Sequence, residues 1–216
     1  MNSVQLITVS ILPLLFAITV HEVAHGWMAN RLGDPTARML GRLTLNPLKH
    51  IDPLGTVLVP ALLILMNTGF VFGWAKPIPV TERNLRRPKQ DMAWVALAGP
   101  LSNLLMALLW ALVARLGVTM GPDLAWIAEP LYLMGQVGIT INLLLMVLNM
   151  LPLPPLDGGR VAVALLPGPL AWKLSRVEPF GFIVIVILLY TQVLGKIIGP
   201  PIEWLESIIL NLFSLI

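Results

Sequence analysis

The stretch His21-Glu22-Val23-Ala24-His25 lies near the end of an apolar run that extends from about Leu6 to Asn30. Residues four positions apart project from the same face of a helix, so both imidazoles can contact one zinc ion. Glu22 lies beside them, where a carboxylate can act on a zinc-bound water. The stretch therefore predicts half of a zinc hydrolase site, carried on a helix long enough to cross a membrane.

The composition is that of a polytopic membrane protein. Of 216 residues, 57% are hydrophobic and 12% are charged, whereas soluble domains are about half apolar and a quarter charged. The absence of cysteine excludes disulfides, a thiol nucleophile and cysteine-ligated zinc, so metal ligands must be His, Asp or Glu. Nucleic-acid binding is not expected, because the net charge is only +3 and the basic residues flank apolar runs. The N-terminus lacks the basic start of a signal peptide, so we expect the first run to remain as a span.

Five apolar runs have about the length that a crossing helix needs, and a shorter tail follows them. They cover about Leu6 to Asn30, Ile51 to Gly73, Met92 to Gly117, Leu131 to Leu153 and Phe180 to Ile198, with the tail from Pro200 to Ile216. The loops between them are short, and no internal repeat is visible. The fold class predicted is therefore all-α, with five or six transmembrane helices in one domain over residues 1–216. The sequence does not decide whether the tail spans the membrane or lies at its surface.

The second run is unusual because basic loops lie on both sides of it. The preceding loop carries Arg31, Arg38, Arg42 and Lys49, and the following loop carries Lys76, Arg83, Arg86, Arg87 and Lys89. A single crossing would place these loops on opposite sides of the membrane, which the positive-inside tendency disfavours. We therefore expect a re-entrant hairpin between the first and second core spans, in which a helix from about Pro53 to Met66 enters and an extended strand from Phe70 to Val80 returns. The strand must be buried in protein or line a cavity, because lipid cannot satisfy its backbone.

The third zinc ligand must come from elsewhere in the chain, because a catalytic zinc needs three protein ligands and an open position. His50 lies in a proline-rich basic connector, where a membrane-surface histidine is the plainer interpretation. Asp157 is the better candidate, since a carboxylate at membrane depth is costly and is by default a functional hypothesis; the alternative is a loop or cap aspartate before Gly158. His21, His25 and Asp157 all lie near the C-terminal ends of their runs, so the first and fourth runs must be parallel for the ligands to meet. The predicted hairpin makes them parallel.

Three separated motifs occur in order along the chain. They are His-Glu-x-x-His at residues 21–25, the stretch Ala98-Gly99-Pro100-Leu101-Ser102-Asn103, and Asn-x-x-Pro-x-Pro-x-Leu-Asp-Gly from Asn149 to Gly158. Together they resemble the site-2 protease family of intramembrane zinc metalloproteases, in its compact prokaryotic form without a PDZ insertion. The resemblance implies one Zn²⁺ held by His21, His25 and Asp157, with Glu22 as general base and Asn149 near the scissile carbonyl.

The resemblance also implies cleavage within the bilayer of the transmembrane segment of a single-pass membrane protein. A helical substrate must unwind before its carbonyls can be attacked, and the strand around Trp74, Lys76 and Val80 could receive it by β-strand addition. Asn103 is a second candidate for substrate or transition-state support, although an asparagine within a span more often bridges helices. The expected location is a prokaryotic cytoplasmic membrane, with the active site toward the cytoplasm.

Two other functions remain open at this point. A zinc-dependent transporter would need more polar residues along a pathway than the spans contain, and an inactive membrane scaffold would be favoured if Glu22 or a ligand were missing. The sequence does not identify the substrate or the need for a prior cleavage. It also leaves the oligomeric state open, a homo-oligomer included.

Overall fold

A computed structural model describes residues 3–66 and 73–215, with side chains from residue 6 onward. Its helices are α1 (Ser3–Arg31), α2 (Thr36–Met39), α3 (Val59–Leu65), α4 (Pro88–Thr119), α5 (Ala125–Asn149), α6 (Asp157–Leu165), α7 (Gly168–Ser175), α8 (Glu178–Tyr190) and α9 (Val193–Leu212). Short 3₁₀ turns cover Pro47–His50, Glu82–Asn84 and Pro122–Leu124, and wide π-type turns over Pro53–Leu58 lead into α3. The prediction of an all-α protein is confirmed for the secondary structure of the described residues.

Helix α1 buries a stripe that winds slowly around it. Every fourth residue from Val9 to Ala29 is buried, namely Val9, Pro13, Ala17, His21, His25 and Ala29, and Thr19 and Gly26 are buried as well. Successive members of this series lie only about 40° apart around a helix with 3.6 residues per turn. The two histidines therefore point into the protein together, while most of the rest of α1 exposes apolar side chains such as Ile7 and Phe16.

Small residues bring α4 and α5 close together. A Cβ on Gly135 would lie 2.5 Å from Cβ of Ala114, and a Cβ on Gly138 would overlap the indole of Trp110. The main apolar cluster lies where these helices meet α9, and it consists of Ala107, Trp110, Ala111, Ile139, Leu143 and Ile209. Close backbone approach through small residues is the usual way for helices to associate in a membrane.

The chain between α1 and α4 begins and ends at the same end of the helix bundle. The backbone N of Arg86, just before α4, donates to the carbonyl of Leu32, just after α1, at 3.1 Å. Within the stretch that joins α1 to α4, Trp74 N donates to Gly55 O at 3.0 Å and Lys76 N donates to His50 O at 2.9 Å. We call residues 73–81 the return segment. Because α1 and α4 meet in this way and a short turn joins α4 to α5, α1 and α5 run in the same direction.

The predicted strand is not observed among the described residues. Residues 67–72, which include its start at Phe70, lie outside them, and the return segment has no strand pairing. The physical reason lies in the sequence, since Pro77 and Pro79 carry no backbone N–H and cannot donate to a neighbouring strand. The helical half of the predicted hairpin is present as the turns and helix over Pro53–Leu65.

The predicted five or six spans are not confirmed by the described residues. The described residues contain three helices that are long and apolar enough to cross, Leu6–Arg31, Pro88–Thr119 and Pro122–Asn149, or four if the bent pair α8 and α9 forms one span. The fifth run breaks after Tyr190, where Gln192 has a left-handed backbone (φ 59°) and the helices meet at 83°. Periodicity alone does not reveal such a bend. The architecture remains that of a multi-pass membrane protein.

Candidate metal centre

Two elements bring three potential ligand atoms together. His21 and His25 come from the buried stripe of α1, and Asp157 is the first residue of α6. Oδ2 of Asp157 lies 3.3 Å from Nε2 of His21 and 3.2 Å from Nε2 of His25, and the two Nε2 atoms are 3.0 Å apart. All three residues are more than 90% buried. The cluster is thus enclosed by protein and could hold a metal ion.

The spacing of these atoms suits zinc. A tetrahedral zinc ion with ligands at about 2.0–2.1 Å separates neighbouring ligand atoms by about 3.3 Å. The observed separations of 3.0 to 3.3 Å are close to this value. In addition, Oδ2 of Asp157 is buried without a hydrogen-bond partner among the described residues. An orphaned carboxylate oxygen facing two imidazole nitrogens fits a cation that the three residues share.

A directional chain of hydrogen bonds fixes the tautomer of His21. Asn142 donates its amide to Gly138 O at 2.8 Å, and Asn103 donates its own amide to Asn142 Oδ1 at 3.0 Å and to Ala17 O at 3.1 Å. With its amide hydrogens used, Asn103 offers only Oδ1 to Nδ1 of His21, 2.6 Å away. His21 must therefore carry its proton on Nδ1, and Nε2 keeps its lone pair for a metal.

Helix α4 fixes the second imidazole and limits the space around it. Nδ1 of His25 donates to the carbonyl of Val95 at 2.7 Å, which again leaves the lone pair on Nε2. A Cβ on Gly99 would overlap Nε2 of His25 and would lie 2.6 Å from Cε1 of His21. Glycine at position 99 is therefore a condition for both rings to occupy their places.

The turn that follows α5 holds Asp157 in place. A Cβ on Gly158 would overlap the carbonyl of Met150, and a Cβ on Gly159 would overlap the backbone N of Pro154. The first turn of α6 therefore lies directly on the proline-rich loop, with no room for side chains between them. This close contact explains why Asp157 is followed by two glycines.

Glu22 points toward the return segment. Its Oε2 accepts a hydrogen bond of 2.7 Å from the backbone N of Ile78. Because Glu22 is adjacent to His21 in sequence, this bond brings the return segment to the edge of the His21, His25 and Asp157 cluster. The carboxylate and the return segment thus form one wall beside the candidate metal centre.

The structure brings some of the other predicted residues to this centre and leaves others apart. Asn149 ends α5 and donates to Leu145 O of its own helix at 2.9 Å. The Trp74 indole lies over Gly55 and meets Phe182 edge to face at 5.5 Å, and Lys76 is exposed. His50 lies outside the cluster, because it is buried with Nε2 donating to Thr44 O at 2.9 Å. The alternative of His50 as third ligand is not supported.

Sequence reasoning missed two groups that position the site, the carbonyl of Val95 and the backbone N of Ile78. Both are main-chain atoms, which any residue type supplies, so no motif marks them. Asn142 accepts a hydrogen bond from Asn103 and so links α5 to α4, a common role for an asparagine within a span. No residue pattern indicates that this bridge continues through Asn103 to His21.

Comparisons with known proteins agree with this geometry. The model of peptidase family M50 matches residues 9–191. YwhC of Bacillus subtilis (strain 168), which is named as a zinc metalloprotease, is 39% identical over 207 residues, covering 95% of this chain and 91% of that protein. Rip2 of Mycolicibacterium smegmatis, named likewise, is 31% identical over 193 residues, covering 88% of this chain and 70% of that protein. No solved structure matches the chain significantly.

The fold and the site define a zinc metalloendopeptidase embedded in a membrane. The chain belongs to peptidase family M50, the site-2 protease family.

Proposed function

We propose that this protein hydrolyses a peptide bond in or near the transmembrane segment of a single-pass membrane protein. The observation that carries the proposal is the convergence of His21, His25 and Asp157 at 3.0 to 3.3 Å inside a bundle whose outer faces are apolar. A hydrolytic centre enclosed by such helices is open to substrates that share the membrane with it. Residues 1–216 act in this proposal as one catalytic domain.

His21, His25 and Asp157 would hold one zinc ion. Both histidines present Nε2 lone pairs, since their Nδ1 protons are bound by Asn103 and by the carbonyl of Val95. When bound, zinc activates water for attack and polarises the scissile carbonyl. Asp157 supplies a negative charge that offsets half of the charge of the ion in a site where unpaired charge is costly.

Glu22 would serve as the general base. It would take a proton from the attacking water and pass that proton to the nitrogen of the leaving amine. The hydrogen bond from Ile78 N restrains one carboxylate oxygen and leaves the other free for the proton. Orienting the base in this way reduces the motion that must be lost at the transition state.

The return segment would bind the unwound substrate as an added strand. Ile78 N is occupied by Glu22, Thr81 N by Asp34, and residues 77 and 79 are prolines. Val80 N is therefore the one donor between residues 77 and 81 that has no hydrogen bond among the described residues. Together with the carbonyl of Ile78 it offers a short site for main-chain pairing.

This strand-addition step can be tested with proline at position 80. Val80→Pro removes the free backbone N–H. Val80→Ala shortens the side chain but keeps this N–H, so it controls for the loss of side-chain contacts. We expect the proline variant to lose affinity for substrate while the alanine variant cleaves nearly normally. Equal cleavage by both variants would exclude main-chain pairing at Val80.

Four further residues would support the reaction from the edges of the site. Asn103 positions His21, and Asn149 can offer its second amide N–H to the developing oxyanion, because its first is bound to Leu145 O. Trp74 and Lys76 would flank the substrate, since both belong to the return segment.

The topology proposed is a multi-pass protein of a prokaryotic cytoplasmic membrane, with the zinc site toward the cytoplasm. The loops on both sides of Pro53–Leu65 are basic and lie at the same end of the bundle as the return segment. Basic loops remain on the cytoplasmic side. In this orientation, Pro53–Leu65 enters the membrane and turns back within it.

The decisive test combines zinc analysis with cleavage of a model membrane substrate by wild type and Glu22→Gln. We expect both purified proteins to bind one zinc ion, and only the wild type to cleave. Equal cleavage by both would exclude Glu22 as the base. Zinc binding without cleavage by either would favour an inactive scaffold, and zinc-dependent flux through vesicles would favour a transporter.

A further inference from the structure

A cavity of about 450 Å³ lies beside the return segment. Its walls come from the return segment, the start of α4, the proline-rich loop, α6 and the turn between α7 and α8. The residues that the argument uses are Ile78, Glu82, Met92, Pro154, Arg160 and Glu178.

This cavity adjoins the candidate active site through the return segment. Ile78 lines the cavity, and its backbone N holds Glu22 at 2.7 Å. On the opposite wall, Pro154 lies three residues before Asp157. A peptide that leaves the reaction centre along the return segment would therefore enter the cavity within a few residues of the scissile bond.

The charge of the cavity differs from that of the surrounding loops. The two loops that flank the second apolar run carry nine lysines and arginines, one of which, Lys76, lies in the return segment. In contrast, the cavity carries the exposed carboxylates of Glu82 and Glu178 against the single guanidinium of Arg160. Neither carboxylate has an ion-pair or hydrogen-bond partner within residues 6–66 and 73–215. Two unpaired acids in a basic region indicate a ligand of positive charge.

We propose that the cavity binds the polar segment of the substrate just beyond its transmembrane helix, with Glu82 and Glu178 binding a lysine or arginine side chain. The inference rests on the proposed function. Cytoplasmic flanks of membrane helices are rich in lysine and arginine, so most substrates would carry the required charge. The apolar wall at Ile78 and Met92 suits the methylene stem of such a side chain.

The experiment uses three model substrates that differ only in the residues after the transmembrane segment, which are lysines, glutamines or glutamates. The enzymes are the wild type, Glu82→Gln/Glu178→Gln and Glu82→Lys/Glu178→Lys. For the wild type we expect KM to be about tenfold lower with the lysine substrate than with the glutamine substrate. The neutral double variant loses this difference with little change in kcat, and the lysine double variant prefers the glutamate substrate.

Glu129→Gln is the matched control, because Glu129 is an exposed carboxylate at the other end of the bundle, near the turn between α4 and α5. It should retain the preference of the wild type. Binding of the same substrates to zinc-loaded Glu22→Gln provides a second measurement without turnover, and it should rank them in the same order.

The outcomes separate the two proposals. Cleavage of lysine and glutamine substrates with equal KM by the wild type would overturn the assignment of the cavity and leave the protease proposal intact. Loss of preference in Glu129→Gln as well would show a general effect of protein charge, and would equally overturn it. Absence of zinc-dependent, Glu22-dependent cleavage of every substrate would overturn the protease proposal, and the assignment of the cavity with it.

Discussion

Oε2 of Glu22 accepts a hydrogen bond from the backbone N of Ile78 at 2.7 Å, although the two residues are 56 positions apart in sequence. The bond joins the helix that carries both histidines to the segment proposed to receive substrate. In the proposed mechanism, one carboxylate would therefore link proton transfer to substrate placement. A change in the return segment should affect catalysis even when the zinc ligands are untouched.

Proline at position 78 tests this link. Ile78→Pro removes the donor, and loss of a hydrogen bond to a charged group costs about 1.5–3 kcal/mol, which corresponds to about a tenfold to hundredfold fall in kcat. Ile78→Ala keeps the N–H and controls for the lost side chain. We expect both variants to bind zinc in full, with the larger loss of kcat in the proline variant. Equal losses would show that packing, not the bond, is responsible.

Alanine at position 99 should remove zinc. Its Cβ would overlap His25 Nε2 and lie 2.6 Å from His21 Cε1, so at least one imidazole must leave its place. We expect Gly99→Ala to contain much less zinc than the wild type after purification and to show no cleavage. Gly121→Ala is the control, since nothing lies within 4 Å of a Cβ there. Zinc is measured by elemental analysis. Full zinc content in Gly99→Ala would contradict the packing described.

Leucine at position 103 should weaken zinc binding through His21. Asn103→Leu removes the acceptor that fixes the Nδ1 proton, and loss of such a partner typically costs about tenfold to hundredfold in metal affinity. The zinc dissociation constant is measured by competition with a chelator. An unchanged constant would mean that His21 needs no partner to present Nε2.

Leucine at position 149 should lower kcat and leave zinc binding intact, in contrast to leucine at position 103. Asn149 bonds only to its own helix among the contacts described, so Asn149→Leu should retain zinc. If the amide supports the oxyanion, kcat falls by about tenfold or more while KM changes little. Kinetics with normal kcat would remove Asn149 from the site.

Asp34 should make stability depend on pH. Burial alone would raise the pKa of this carboxyl, but the hydrogen bonds from Thr36, Asn84 and the backbone N of Thr81 outweigh burial and lower the pKa. A lowered pKa in the folded state means that Asp34 stabilises the fold above the ordinary aspartate pKa of about 4, and that this contribution is lost as pH falls through the folded pKa.

Asp34→Asn therefore has its largest effect near neutral pH. We expect a lower Tm than the wild type at pH 7, with a difference that narrows below about pH 4. Thermal unfolding in detergent at several pH values measures this. A Tm difference that stays constant with pH would mean that the charge of Asp34 contributes nothing.

The candidate metal centre was predictable because its chemistry depends on side chains. His21, Glu22 and His25 form a local pattern, and Asp157 was the carboxylate whose position matched the ends of the first and fourth runs. The hydrogen bonds that orient the histidines were less predictable. Asn103 was a candidate with an uncertain role, while Val95 contributes only a carbonyl.

The fold was predictable where apolar length decides it and less so elsewhere. The three long helices α1, α4 and α5 correspond to the first, third and fourth runs. The fifth run was read as one span, but a bend at Gln192 divides it, and α9 packs against α4 and α5 through Ile209. An apolar run is equally compatible with a straight helix and with two helices joined at a bend. The bend is therefore set by packing against neighbouring helices. The return segment was expected as a strand, but Pro77 and Pro79 leave one of its edges without donors.

Those prolines have a consequence for the stoichiometry of the enzyme. Pro77 and Pro79 carry no donor, and the carbonyls of Lys76 and Pro77 are already bound by Arg42. This edge of the return segment therefore cannot pair with a further strand, so in the proposed binding mode the segment would engage one polypeptide at a time. In a crowded membrane, Pro77 and Pro79 also keep this edge of the return segment from pairing with the return segment of another copy of the protein.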